Sequence, residues 1–161
     1  MAKKTDKTNV MRILDQKKIS YTEHTYDPDA GISGMEVATS CGEDPNRVFK
    51  TLVTVAPSKK NYVFVVPVTG ELNLKKAASL AGEKSIEMIK SKDLLPLTGY
   101  IHGGCSPIGM KKFFTTFIHE TAADFDTIMF SGGKIGYQVE MSVSDLEKVI
   151  PFTLGDIADP G

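Results

Sequence analysis

The feature that most constrains this 161-residue chain is a pair of β-rich runs joined by a short turn. Val48 to Ala56 is rich in Val and Thr, Pro57-Ser58-Lys59-Lys60-Asn61 reads as a turn, and Tyr62 to Val68 is almost wholly apolar. Runs this close together can pair only as an antiparallel hairpin, because parallel pairing needs a crossover of about a dozen residues. The second run is apolar on both sides of a strand, so the hairpin must be covered on both faces.

The rest of the chain supplies the cover. Val10, Met11, Ile13 and Leu14 fall at helical spacing between Thr8 and Lys17. A short strand over Ser20 to Tyr26 follows, then turn residues Asp27 to Gly31. Ser33 can cap a helix to about Cys41, and Gly42 can end it. Asp44-Pro45 opens a helical turn. Asn73 can cap a helix through Leu80 that ends at Gly82, and short helices are expected over Ser85–Ile89 and Ser91–Leu95. Strands follow at Thr115–His119 and Thr127–Phe130, with Ser131-Gly132-Gly133-Lys134 as the turn into Ile135–Met141. In that last run Tyr137, Val139 and Met141 alternate with Gln138 and Glu140, the pattern of a half-buried strand. Ser144-x-x-Glu147 reads as a capping box before a final helix. Strands come in hairpins rather than βαβ units. The expected fold is therefore α/β in content (α+β): a mixed, mostly antiparallel, barrel-like sheet surrounded by helices, one domain over residues 1–161.

Charge excludes one class of function. Lys and Arg total 19 against 20 Asp and Glu, a net charge of −1, so the chain is no bulk polycation and any RNA contact must use a local patch. Candidates for that patch are the pairs Lys3-Lys4, Lys17-Lys18, Lys59-Lys60, Lys75-Lys76 and Lys111-Lys112, which otherwise are solvated surface. Cys41 and Cys105 have no metal-binding spacing and read as reduced thiols of a cytoplasmic protein. The polar start of the chain is no secretory signal, and no run approaches the length of a membrane helix.

Two places could carry chemistry. Lys50 sits between Val48 and Leu52 on one face of an apolar strand. It either snorkels at a sheet edge or lines a cavity where its ammonium meets a carbonyl or an anion. Gly103-Gly104-Cys105-Ser106-Pro107-Ile108-Gly109 is either a plain loop or a close-approach surface whose N–H groups face a carbonyl oxygen. It has neither P-loop nor dinucleotide spacing. Cys105 near His102 raises a nucleophile reading, against the commoner role of a small packing residue. His24, His102 and His119 form no metal motif.

Taken in order, Arg47-Val48-Phe49-Lys50-Thr51-Leu52-Val53, Val65-Val66-Pro67-Val68, Leu72-x-Leu74-Lys75-Lys76-Ala77-Ala78, Gly99-Tyr100-x-x-Gly103-Gly104-x-Ser106-Pro107-x-Gly109-x-Lys111-Lys112 and Ser131-Gly132-Gly133-Lys134-x-Gly136 resemble the YbaK/EbsC family of free-standing tRNA editing proteins. The resemblance runs from about Ser20 to Val149. The Gly-Gly-Cys-Ser-Pro form and the length are similar to its bacterial Cys-tRNA(Pro) deacylase branch. The family implies a fold like the editing domain of prolyl-tRNA synthetase, and an activity that removes cysteine from mischarged tRNA(Pro). It implies tRNA and prolyl-tRNA synthetase as partners, with no DNA, membrane, metal or cofactor. Its essential lysine matches Lys50, and its glycine loop matches Gly103 and Gly104. Substrate-binding roles would fall to Tyr26 (with Tyr21 as competitor), Thr51, Ser106, Pro107, Ser131 and Glu140. Asn73 stands where relatives are expected to carry Asp, and Glu140 would be a methylene longer than an Asp there. The family suggests that the substrate's own thiol attacks its carbonyl and leaves as a thiolactone, so the step is hydrolytic or lyase-like and the protein need only position and stabilise. The alternatives are an Ala-tRNA(Pro) deacylase that uses water, and a non-catalytic module that docks on a synthetase or tRNA.

Overall fold

The structure, a computed structural model, describes residues 7–30 and 34–160. Helix α1 (Asn9–Gln16) is capped by Thr8, whose hydroxyl accepts the Met11 N–H, and buries Val10, Met11 and Leu14. Strand β1 (Thr22–Thr25) follows, then helix α2 (Gly34–Cys41). The cap expected at Ser33 lies outside the described residues. Asp44 caps a short 3-10 turn, Pro45–Arg47, that delivers the chain into the hairpin.

That hairpin is β2 (Phe49–Val55) and β3 (Asn61–Pro67), paired antiparallel from Phe49↔Pro67 to Val55↔Asn61. Strand β4 (Gly70–Leu72) leads to helix α3 (Leu74–Ala81), where the Asn73 side chain accepts the Lys76 N–H as expected of a cap. Next come β5 (Glu87–Met88), α4 (Ser91–Thr98), β6 (Thr115–His119), β7 (Ile128–Ser131), β8 (Tyr137–Met141), α5 (Val143–Leu146), β9 (Thr153–Gly155) and β10 (Ala158–Pro160).

One sheet has the order β5-β2-β3-β6-β9, a second β1-β8-β7, and β10 pairs with β4. A parallel bridge between Val48 and Met129 joins the first two, giving the barrel-like closure. β3 lies at the centre. Its Val63 and Val65 face a core shared with Phe130, Val139 and Met141 of the second sheet and with α1. Its Tyr62, Phe64 and Val66 face a second core against Ala77 and Ala78 of α3. Alternation thus fills both faces of the apolar run.

Three local expectations change. Glu87–Met88 is a strand, not part of a helix: it pairs with Thr54 and Val55, and the Ile89 N–H donates to the Val53 carbonyl at 3.2 Å, satisfying part of β2's outer edge. The last helix is capped by Ser142, whose hydroxyl accepts the Asp145 N–H at 3.1 Å, rather than by Ser144, because β8 ends at Met141 and the chain turns at once. The β3–β6 and β6–β9 pairs are parallel, which local hairpin signals do not reveal.

Phe64 is fully buried and stacks on Phe117 with ring centroids 5.4 Å apart. Phe64→Ala is expected to cost about 3–5 kcal/mol of stability, read as a lower midpoint in urea unfolding.

Candidate active site

β5 covers β2 only at Thr54 and Val55. Among the described residues the outer edge of β2 before them has no strand paired to it beyond the Val48–Met129 bridge, and a cleft of about 270 Å³ runs along it. Consecutive residues Val48 to Leu52 line that cleft, so it follows a strand edge rather than one strand face. Lys50 and Thr51, on opposite faces of the strand, therefore both reach it. The facing wall is His102, Gly103 and Cys105 of the glycine loop, with Ser131 of β7 and Gln138 of β8; Val37 and Leu94 add apolar surface.

The polar groups in the cleft are poorly matched by the protein itself. The Thr51 hydroxyl and the Gln138 side-chain carbonyl are buried without hydrogen-bond partners. Leaving such groups unpaired costs about 1–3 kcal/mol each, as it does for the Tyr26 and Thr121 hydroxyls outside the cleft. Ser131 and Gln138 stand directly opposite on paired strands. The Ser131 oxygen accepts the Gly133 N–H at 3.1 Å, which leaves its own proton free to donate. Lys50 is half-buried and places its Nζ 3.5 Å from Glu71.

The glycine pair divides its duties. Gly103 lines the cleft at φ +90°, a conformation that favours glycine, and its N–H has no backbone acceptor among the described residues. Gly104 does not line it. Its N–H already donates to the Ile101 carbonyl at 3.0 Å, and an added Cβ would lie 3.2 Å from the Ile135 nitrogen. Of the two glycines, Gly103 lines the cleft, while Gly104 lets the loop close on the 134–135 backbone. Ser106 and Pro107 are buried behind the loop, where the Ser106 oxygen accepts the Ile108 N–H. The Tyr100 hydroxyl pins the same loop by donating to the Ile108 carbonyl.

Tyr26 and Glu140 are not brought to the cleft. The Tyr26 hydroxyl is buried and unpartnered elsewhere. Glu140 binds His24 at 2.8 Å, accepts from the Thr127 hydroxyl at 2.5 Å and lies 3.8 Å from Arg47. Burial raises its carboxyl pKa, but those hydrogen bonds and the nearby His24 and Arg47 outweigh burial and hold it below the usual range. The residue that does reach the cleft from this strand is Gln138, two positions earlier on the same face. Its signal was present in the polar half of the alternation, but that pattern does not distinguish Gln138 from Glu140.

Residues 32–149 match the aminoacyl-tRNA editing domain. The protein EbsC of Enterococcus faecalis, whose name proposes a Cys-tRNA(Pro)/Cys-tRNA(Cys) deacylase activity, is 44% identical over 99% of this chain and 97% of its own length. The chain belongs to the YbaK/EbsC family of aminoacyl-tRNA editing proteins. Solved structures share the fold at 19% identity. The hypothetical protein APE2540 has a TM-score of 0.84 over 93% of this chain and 99% of its own. A protein proposed to be a trans-editing enzyme for prolyl-tRNA synthetase has a TM-score of 0.81 over 96% and 99%.

In this editing protein Cys105 is a poor nucleophile. Burial pushes its thiol up to about 12, so it stays protonated at neutral pH. His119 is engaged elsewhere, its Nδ1 accepting the Ile157 N–H at 3.2 Å. His24, Glu43 and Glu140 bring ligand-type atoms within 4.8 Å of one another, but Arg47 and Thr127 already occupy Glu140. Among the described residues no helix is long and apolar enough to cross a membrane. Of the lysine pairs, Lys76 is taken by Asp156 and Asp159, so it is not free for phosphate. A thiol-labelling reagent at neutral pH should modify Cys41, which is half-buried, at least about ten-fold faster than Cys105, which should react only on unfolding.

Proposed function

We propose that the cleft deacylates mischarged Cys-tRNA(Pro), with Lys50 and the Gly103 N–H stabilising charge on the ester carbonyl oxygen. The observation that carries this reading is the meeting of a lysine, a free backbone N–H and unpartnered buried polar groups along one open strand edge. Its volume of about 270 Å³ lies below the span of roughly 300–1,000 Å³ usual for larger ligands, which suits an aminoacyl group with the nucleotide left outside.

The chemistry needs no protein nucleophile. The cysteine thiol of the substrate attacks its own carbonyl carbon, forming a C–S bond. The C–O bond to the tRNA ribose then breaks, the ribose oxygen takes up the thiol's proton, and a cyclic thiolactone departs for hydrolysis by water. The protein holds the thiol near the carbonyl and steadies the oxyanion, a task for fixed donors in a partly dry site. Thr51, Ser131 and Gln138 offer hydrogen bonds to the aminoacyl group. Work in the cytoplasm in complex with prolyl-tRNA synthetase fits this role and belongs to the same proposal.

The test is deacylation of Cys-tRNA(Pro) beside Ala-tRNA(Pro). Fast loss of cysteine and slow loss of alanine is expected. Lys50→Ala removes a charge-assisted contact of about 1.5–3 kcal/mol, so activity should fall roughly ten- to a hundred-fold or more while the protein stays folded. Preference for alanine would point to water as nucleophile. No loss of either would leave a binding module, and an active Lys50→Ala variant would remove Lys50 from the chemistry.

A further inference from the structure

The ammonium of Lys50 has one carboxylate within 4 Å among the described residues, that of Glu71. Glu71 is the middle residue of β4, and its side chain is 79% exposed. So exposed a pair opens easily. Across the β4–β10 ladder Glu71 stands directly opposite Asp159. Like charges in that position repel. The Asp159 carboxylate is already held by Lys76 at 3.4 Å and by the Asn73 amide at 2.8 Å. Lys50 is therefore the one described cation serving Glu71. When Lys50 turns to a substrate carbonyl, Glu71 is left beside Asp159 in need of another positive group.

An aminoacyl ester brings one. Its α-ammonium nitrogen and its carbonyl oxygen hang from neighbouring carbons, about 3 Å apart by standard bond lengths. That spacing is close to the 3.5 Å between Lys50 Nζ and the Glu71 oxygen. We infer that Lys50 and Glu71 form a two-point clamp for the aminoacyl headgroup: Lys50 donates to the carbonyl oxygen, and the Glu71 carboxylate accepts from the α-ammonium. Glu71 stands outside the residues that line the cleft and is tied to it through Lys50, and that ion pair is exchanged for two contacts to substrate. A chain whose amine is acylated, as in peptidyl-tRNA, loses the second contact, so the clamp selects esters with a free amine. This rests on the reading of the cleft as an aminoacyl-ester site.

The test compares Cys-tRNA(Pro) with 3-mercaptopropionyl-tRNA(Pro), which keeps the thiol and ester and lacks only the amine. The wild type should favour the amine-bearing substrate by about ten-fold or more in kcat/KM. Glu71→Gln should bring that ratio close to one. If Glu71 only orients Lys50, the substitution depresses both substrates alike and the ratio survives, which overturns the clamp. A wild type indifferent to the amine overturns it as well. Failure of the wild type to cleave either substrate overturns the functional reading itself, and the clamp with it.

Discussion

The pairing of β2 with β3 is the constraint on which the rest depends. β3 is held on both edges, by β2 and by β6, and is buried on both faces. It can serve as an axis because almost every side chain in it is apolar. β2 is held on one edge along its length and on the other only at its far end. The cleft is the unpaired remainder of that edge. Had β5 been as long as β3, its backbone would have filled the space where Lys50 and Thr51 meet the glycine loop.

The opposite wall is set by backbone rather than by side-chain choice. Gly104 packs against the 134–135 backbone, and Tyr100 ties down Ile108. These contacts hold the loop that brings Gly103 to the cleft, its N–H without a backbone acceptor among the described residues. The unpartnered Thr51 hydroxyl and Gln138 carbonyl oppose stability, and the two hydrophobic cores offset that cost. Buried polar groups left unpaired in this way need a rigid surround, or they would turn and satisfy each other.

The Glu140 cluster shows how the same strand serves both ends. Val139 fills the core, Gln138 faces the cleft, and Glu140 ties His24, Thr127 and Arg47 together. Arg47 also lies 5.3 Å from the Phe125 ring, which fixes the turn that feeds into β2. The network therefore supports the start of the strand that carries Lys50, without touching the cleft.

The amino-acid sequence by itself determined the hairpin, the cap at Asn73, the helical turn opened at Asp44-Pro45, and the segments that resemble the editing family, with Lys50 and the glycine loop among them. These are local signals: periodicity, turn chemistry and short motifs act between residues near in the chain. Tertiary structure alone decided the parallel β3–β6 and β6–β9 pairs, the strand at Glu87–Met88 and the choice of Ser142 over Ser144. It also decided that Gly103 and not Gly104 faces the cleft, that Gln138 and not Glu140 reaches it, and that Glu71 lies beside Lys50. Each of these depends on which distant backbone claims a given N–H or carbonyl, and no local pattern carries that information.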